Sequence, residues 1–338
     1  MGRYYSDQSR ITLFHESGTY ANVSGGGFWL GLVQGHSPDE EVNVQSVRYA
    51  GNLTRDVGTF VNGALDYTGK ITYFPQDWRM LAFALGNLTN GGSPSPYTHT
   101  VDGANGLDGN PYTSGIENPF ISFAFEDHRA SSGTGVNFAR RFIGCVIDGM
   151  DITISPGEIV SVDLSYIAQS GIKSSGTAII GSQPVNDGNT NYVRPYIYSD
   201  FTFHQPSGTI WNEWRGGKIS LKNGFEAPHY VNGVKTIGVP IKGNRDSSLT
   251  FTFDAESSKI GSLYDIYFIG GSTFNCLLGG NIVNGSRDIC LTFSGCVINK
   301  MPNPLKLEGI DTIELTITPK TVTGFSTDEH QYWAFGSP

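Results

Sequence analysis

Apolar and polar residues alternate along many short segments of the chain, and this period of two is the pattern of half-buried β-strands. Runs of Gly, Pro, Asn and Ser separate these segments, as turns between strands do. Ser24 and the three glycines after it predict one such turn. The pattern predicts an all-β protein, with strands that include residues 11–14, 28–34, 42–49, 119–125, 138–147 and 158–168.

Residues 58–86 begin with the strand pattern and then change period. The β-rich runs 59–65 and 70–74 predict a hairpin, because residues 66–69 between them end in a glycine as turns often do. This hairpin is expected to lead directly into the one helix that the pattern predicts clearly.

That helix is predicted from apolar residues three and four positions apart, namely Trp78, Leu81, Ala82 and Leu85. Pro75 suits the first helical position, and Gly86 suits the left-handed residue that ends a helix. A second short helix is expected later in the chain, with Asp254 as its N-cap and running toward Tyr267.

The composition fits a β protein with many tight turns. Gly accounts for 44 of the 338 residues and charged residues for 16%, against usual values of about 7% and about 25%. So few charges favour a surface that partners cover over much of its area. The formal net charge of −9 argues against a grip on nucleic acid, which needs clustered Lys and Arg.

Other classes of protein find little support in the sequence. No apolar stretch follows Met1 as in a signal peptide, and no window is long and apolar enough for a membrane span. The cysteines show no CxxC and no zinc spacing, so Cys145, Cys276, Cys290 and Cys296 are expected to be small buried side chains of a reducing compartment.

The second half of the chain repeats the plan of the first. Gly-Cys-Val-Ile occurs around Cys145 and around Cys296, at an offset of 296 − 145 = 151, and the next strands align from Gly157 and Gly309. Phe74 aligns with Phe253 and Phe120 with Phe274. The number of residues that separates the two members of each aligned pair differs along the chain. One insertion in the first copy, the Gly- and Pro-rich run 89–115, explains most of this difference.

A duplication of one β domain is therefore the expected organisation. Residues 1–180 form the first domain with the loop insertion 89–115, and residues 181–191 have the composition of a linker. Residues 192–320 form the second domain, and residues 321–338 are a C-terminal arm.

Three groups of residues could carry chemistry, and each has a simpler interpretation. Glu126, Asp127 and His128 are expected in a solvated hairpin turn. Asp102, Asn105 and Asp108 offer oxygens at close spacing but lack the EF-hand pattern, so a flexible loop is expected. The carboxylates Asp148, Asp151, Glu158 and Asp163 form no recognisable glycosidase pair. No catalytic, cofactor or metal site is predicted, and the chain is not expected to be an enzyme.

The order of elements in each copy, strands, one helix, a hairpin that ends in Gly-Cys-Val-Ile and a last strand, resembles the tail tube proteins of long-tailed phages and archaeal viruses. The most similar segments are 57–86, 142–167 and 249–319. The resemblance implies a β-sandwich or barrel with a flanking helix in each of two tandem domains.

The same resemblance implies a structural protein of the virion that assembles itself in the host cytoplasm. Three subunits would form a pseudo-hexameric ring, and stacked rings would form a channel for DNA ejection without specific DNA binding, cofactor or membrane. Other tail proteins would be partners. Residues 51–62 and 224–239 are candidates for arms that reach the neighbouring ring.

The alternative is a tandem β-sandwich module that binds carbohydrate or decorates a capsid. The aromatic residues within 192–214 could form a platform for sugars. Such a module would remain monomeric and bind glycans.

Overall fold

The computed structural model describes residues 10–16, 20–30, 32–49, 57–91, 97–103, 122–129, 138–173, 194–204, 210–241, 243–255, 264, 268–269, 271–282, 287–302 and 311–328. These are mostly antiparallel β-strands with one short α-helix, which confirms the all-β prediction. The first nine strands are β1 Arg10–Glu16, β2 Val23–Trp29, β3 Leu32–Val47, β4 Thr59–Phe74, β5 Gly86–Gly91, β6 Tyr97–Gly103, β7 Phe123–Arg129, β8 Phe138–Ile154 and β9 Ser161–Ala168. The others are β10 Ser170–Lys173, β11 Phe201–His204, β12 Trp214–Lys222, β13 Asp246–Asp254, β14 Phe274–Ile282, β15 Arg287–Lys300, β16 Thr312–Thr318 and β17 Thr321–Asp328.

Eight strands form a central sheet in the order β3-β4-β9-β8-β12-β13-β16-β15. The first four come from the first half of the chain and the last four from the second half. The pairing of β8 with β12 joins the two halves into one continuous hydrogen-bonded surface.

Two outer sheets lie against this central sheet. The first has the order β2-β1-β7-β8-β10, and the second has the order β11-β14-β15-β17-β6-β5. Strands β8 and β15 belong to the central sheet and to one outer sheet each. They change sheet at Gly144 and Gly295, whose φ angles are +66° and +63°, a region that favours glycine.

The apolar core lies between the central sheet and the outer sheets. In the first half, the Phe125 ring of β7 meets the Tyr166 ring of β9 with centroids 4.9 Å apart. In the second half, the Phe203 ring of β11 and the Phe251 ring of β13 have centroids 4.8 Å apart. Each half of the central sheet therefore forms a two-layer β-sandwich with one outer sheet, and the second sandwich includes β5 and β6 from the first half of the chain.

Helix α1, Arg79–Leu85, ends as the sequence predicts, because Gly86 adopts a left-handed conformation with φ of 97° and donates its N–H to the carbonyl of Ala82. It begins later than Pro75, with Trp78 as N-cap, and the Asp77 carboxylate accepts the N–H of Arg79 at 3.0 Å. All seven of its residues are buried. The helix is thus a core element rather than an amphipathic surface helix.

Two predicted turns are wrong. Residues 66–69 do not separate two strands, because Tyr67, Thr68 and Gly69 pair with β3 on one side and β9 on the other inside the single strand β4. Ser24 and the glycines after it lie within β2.

Several predicted segments are only partly within the described residues. The insertion 89–115 is not one long loop, because β5 and β6 form a hairpin at its start; residues 92–96 and 104–115 lie outside the described residues. Residues 321–328 of the predicted C-terminal arm form β17. Outside the described residues lie the linker 181–191, most of the second helix and residues 329–338. No helix in the described part of the chain is long and apolar enough to cross a membrane.

Candidate assembly surfaces

The central sheet has one apolar face and one polar face. Val162 and Leu164 on β9 are buried, while Asp163 between them is exposed. Phe251 on β13 is buried and Thr252 beside it is only partly buried, which continues the alternation into the second half. A single polar surface therefore runs across both halves of the chain, opposite the face that packs on the outer sheets.

The polar face carries charges of both signs. The ammonium of Lys218 lies 2.8 Å from the carboxylate of Asp151, and the Thr72 hydroxyl donates to the carboxylate of Asp163 at 2.5 Å. Asp148 lines the same groove as Lys70. Lys222 lines this groove too, so the described cations alternate with the carboxylates Asp148, Asp151 and Asp163. Such a mixed surface differs from the clustered Lys and Arg that grip phosphates.

These contacts also explain the carboxylates considered for glycoside chemistry. Asp151 and Asp163 lie opposite each other on β8 and β9, and Asp148 lines the same groove. Glu158 lies apart, in the exposed turn before β9. Asp151 is paired with Lys218, and Asp163 accepts a hydrogen bond from the hydroxyl of Thr72. These carboxylates are therefore part of the polar surface of the sheet.

Both ends of the central sheet are open edges. Strand β3 pairs with β4 on one side, and residues 297–300 of β15 pair with β16 on one side. Among the described residues, no strand covers the other side of either segment. Asp39, Glu40 and Glu41 are exposed on the β3 edge, and Lys300 is exposed at the β15 edge. Open edges of opposite charge are suited to pair with each other.

The hairpin of β3 and β4 extends well beyond the rest of the sheet. Strand β9 pairs with β4 only along Tyr67–Tyr73, and no other strand among the described residues pairs with the outer part of the hairpin. This outer part exposes apolar side chains, with 50% of Val44, 66% of Phe60 and 50% of Val61 accessible to solvent. Exposed apolar residues grouped in this way indicate a surface for a partner.

The two segments predicted as arms meet at this end of the molecule. Residues 57–62 belong to the start of the long β4 hairpin, and residues 51–56 lie outside the described residues. In the other segment, the carbonyl of Lys235 accepts the N–H of Leu65 at 2.9 Å, and the His229 ring lies 2.8 Å from the Asp66 carboxylate. Tyr230, Val231 and Val234 are exposed beside it and enlarge the apolar surface.

The prediction of a solvated turn at Glu126, Asp127 and His128 is wrong. All three residues lie in β7 and are buried. Arginines of β8 lie opposite them: Arg141 donates to Glu126 at 2.9 Å, and Arg140 donates to Asp127 at 3.2 Å. Glu126 and Asp127 thus form with these arginines a buried ionic cluster that links β7 to β8 in the first outer sheet.

The environment of this cluster shifts the pKa of the Asp127 carboxylate. Burial alone raises the pKa of Asp127, but the nearby His36 ring and the Arg129 guanidinium favour the charged form. The net effect lowers the pKa of Asp127 to about 2. The His36 ring also lies edge-on to Phe125, which connects the ionic cluster to the aromatic core.

The polar contacts that hold β8 in place cannot be predicted from the sequence. Glu16 is fully buried and accepts the N–H of Gly144 at 2.6 Å and the hydroxyl of Ser122 at 2.6 Å. Burial raises the pKa of Glu16. At the equivalent bend of β15, the Asn275 side chain accepts the N–H of Gly295 at 3.0 Å. A buried acid without a neighbouring motif has no signal in a single sequence.

Asn223 is a second residue that sequence analysis did not single out. Its buried amide group donates to the carbonyls of Ile147 at 2.7 Å and Ala84 at 2.9 Å, and it accepts from the Arg245 guanidinium at 2.8 Å. Asn223 follows β12 directly, so it connects the second half to the helix and to β8 of the first half.

The other residues considered for chemistry are the cysteines and the group Asp102, Asn105 and Asp108. Cys145, Cys276 and Cys296 are buried as predicted, and Cys290 is partly buried. Asp102 lies in β6, while Asn105 and Asp108 lie outside the described residues. No group of His, Cys, Asp and Glu within the described residues could hold a metal ion.

The aromatic residues of 192–214 face the core to a large extent. Tyr196 is buried against Trp78 with ring centroids 5.4 Å apart, and Trp211 stacks on Phe253 at 4.0 Å. Tyr192 lies outside the described residues. Tyr196 and Trp211 are thus part of the packing and do not form an open platform for sugars.

In a comparison with models of protein families, residues 39–320 match the family described as phage tail tube protein. The match spans both halves of the central sheet. No curated protein matches the chain.

Proposed function

The chain belongs to the phage tail tube protein family, and on that premise we propose that it is the ring-forming subunit of a tube through which DNA leaves the virion. The family is one of structural proteins, located in the virion tail and assembling with themselves and with other tail proteins. The observation that carries the proposal is the central sheet, which has one polar face and two open edges of opposite charge.

The proposed subunit is a tandem duplication of one tube domain, with the halves at 1–180 and 192–320. Strand β17 of the predicted arm completes the second half, because it pairs with β15 as β10 pairs with β8. Matching strand registers support the duplication. The pairs Phe123–Cys145, Ile143–Ser170 and Ile147–Tyr166 recur as Phe274–Cys296, Ser294–Thr321 and Ile298–Ile317, each shifted by 296 − 145 = 151 positions. The strand order β3-β4-β9-β8 likewise recurs as β12-β13-β16-β15.

In the proposed ring, the central sheets of three chains join edge to edge and close into one barrel. Each chain contributes eight strands, so the barrel has 3 × 8 = 24 strands. Closure would leave neither edge of the central sheet exposed, which removes the tendency of these open edges to aggregate. The apolar face and the outer sheets would then lie on the outside of the barrel wall.

The polar face would line the channel. The formal net charge is −9, and on this face Lys218 is already paired with Asp151. A lining of mixed charge lets a polyanion pass without the multiple phosphate contacts that would hold it. DNA is therefore proposed to travel through the lumen without specific binding.

Stacking of one ring on the next is assigned to the end of the molecule where the β3–β4 hairpin and residues 224–239 meet. This end exposes Phe60, Val61 and Val231, which a neighbouring ring would cover. Assembly is proposed to take place in the host cytoplasm. The proposed function requires no catalysis, no cofactor and no membrane.

Negative-stain electron microscopy of the purified chain, with mass photometry over a range of concentrations, tests this function. Tubes, or rings of three chains, are the expected result. Rings of six chains would be compatible with a tube-forming protein but would contradict a ring that three chains close. A particle of 36.6 kDa at every concentration would contradict ring formation altogether.

A further inference from the structure

We propose that neighbouring subunits join β3 of one chain to the end of β15 of the next in the same register that joins β12 to β8 within one chain, with Glu41 opposite Lys300 of the neighbouring copy. This contact rests on the proposed function. It names the residues that join two copies of the chain. A joint of the same kind occurs once inside each chain, between β8 and β12.

The internal joint provides the template. Strand β12 runs antiparallel to β8 from Gly217 opposite Ile154 to Lys222 opposite Gly149. Just beyond it, Asn223 donates its backbone N–H to the carbonyl of Asp148 at 2.7 Å. The register is thus fixed at both ends by pairs within one chain.

The open edge of β3 is equivalent to β12. Each strand has an irregularity in its pairing at the same place, between Val33 and Gly35 in β3 and between Trp214 and Gly216 in β12. These bulges place an extra residue at one defined position of each strand. They align Gly35 with Gly216, at a spacing of 216 − 35 = 181.

The open edge of β15 is equivalent to β8 in the same way. The pairing of β8 with β9 shifts between Ile147 and Gly149, and the pairing of β15 with β16 shifts between Ile298 and Lys300. Lys300 therefore occupies the position of Gly149, at a spacing of 300 − 149 = 151.

These two spacings transfer the internal register to the joint between subunits. Lys222 of β12 corresponds to Glu41 of β3, because 222 − 181 = 41, so the pair of Lys222 with Gly149 becomes the pair of Glu41 with Lys300. Both side chains lie on the polar face, since Glu41 is opposite Asp66 on β4 and Lys300 is opposite Thr316 on β16.

Charge supports this partner over a second β3 edge. Within one chain, Glu41 faces Asp66 across the strands, and like charges directly opposite each other are unfavourable. A lysine from the other side offsets that repulsion. Two β3 edges placed together would instead bring the exposed Asp39 and Glu41 of each copy against those of the other, whereas Glu40 is already paired with Arg140 at 2.6 Å. The joint is therefore head to tail, which is the kind that closes into rings.

Disulfide cross-linking in assembled rings or tubes tests the register. Glu41→Cys combined with Lys300→Cys is expected to link neighbouring chains after mild oxidation, because residues opposite each other have Cβ atoms about 4.5–5.5 Å apart. The matched control is Ser37→Cys with Lys300→Cys, on the same strand and face but four residues away, where we expect at least about tenfold less cross-linked product. Three native thiols are buried and one is partly buried, so the wild-type chain measures the background.

A charge exchange provides a second, independent measurement. Glu41→Lys alone and Lys300→Glu alone are each expected to lower the assembled fraction at low salt, and the double exchange is expected to restore it. Both positions are exposed in the isolated chain, so circular dichroism should show the native fold in all three variants.

The outcomes separate this contact from the proposed function. Tubes that form normally but cross-link better through Ser37 than through Glu41 would overturn the register and leave the tube function intact. A double exchange that assembles no better than the single variants would also overturn the pairing. A wild-type chain that stays monomeric would overturn the proposed function and this contact together.

Discussion

Gly144 and Gly295 lie 151 positions apart, and each has a left-handed backbone at the point where its strand leaves an outer sheet and enters the central sheet, with φ of +66° and +63°. A side chain at either place would be strained by the backbone and would also meet its surroundings. A Cβ on Gly144 would lie 2.8 Å from the Tyr20 ring, and one on Gly295 would lie 2.9 Å from Cβ of Lys320.

We therefore expect Gly144→Ala to lower the free energy of unfolding by more than the about 1–2 kcal/mol that a left-handed backbone alone costs. Gly157→Ala is the matched control, because Gly157 has φ of +80° with open space around it. Urea denaturation followed by circular dichroism measures both. Equal losses for the two variants would contradict the role given to the contact with Tyr20.

The buried ionic cluster predicts a loss of stability in acid. Since the pKa of Asp127 is lowered to about 2 from an ordinary 3.8, the folded chain binds its proton less readily than the unfolded chain. The stabilisation is complete above about pH 5 and is lost as the pH falls toward 2, amounting to about 2 kcal/mol.

Asp127→Asn should remove this part of the pH dependence, measured as the urea midpoint between pH 5 and pH 2. Asp39→Asn, at an exposed position, is the control and should keep the wild-type slope. The prediction fails if Asp127→Asn and the wild-type chain lose stability in parallel over this range.

Asn223 is expected to hold the two halves of the chain together. Asn223→Ala would leave the carbonyls of Ile147 and Ala84 and the guanidinium of Arg245 without this partner. We expect a loss of about 2–4 kcal/mol in the free energy of unfolding, because the variant loses three buried hydrogen bonds that contribute about 1 kcal/mol each. Arg245 keeps its bond to the carbonyl of Leu85 at 2.8 Å. Asn232→Ala, in an exposed turn, should cost less than about 0.5 kcal/mol in the same experiment.

The exposed apolar end of the β3–β4 hairpin is expected to control stacking. Phe60→Ser should shorten or abolish tubes while leaving single rings, because Phe60 is 66% exposed in the chain and contributes little to its fold. Ile172→Ser, on β10 of the first outer sheet and 49% exposed, is the control. Tube lengths in negative stain measure the effect. Tubes of unchanged length would place the stacking contact elsewhere.

The sequence predicted those features that depend on neighbours along the chain. The end of helix α1 at Gly86 and the alternation in β9 follow from local conformational preference and from burial of one face. The helix begins a few residues later than the sequence predicts, because Pro75 and Asp77 resemble a first helical turn but lie before the N-cap Trp78.

Predictions from the sequence are wrong where strand pairing across the sheet overrides the local conformational preference of the residues. Residues 66–69 contain turn formers, yet strands on both sides hold them in β4. Glu126 and Asp127 resemble a solvated turn because their partners, Arg141 and Arg140, belong to another strand. In the repeat, Phe274 aligns with Phe123 rather than Phe120, since Phe123 and Phe274 are the residues that face the two equivalent cysteines.

The joint of β8 with β12 has a consequence for the speed of assembly. In a ring of three such chains, every second joint between domains is already made inside a chain, where the polypeptide holds the two strands at an effective concentration of about millimolar or more. Six separate domains would have to find six partners by diffusion, whereas three duplicated chains have three joints left to make. The duplicated chain thereby removes half of the concentration-dependent steps from ring closure.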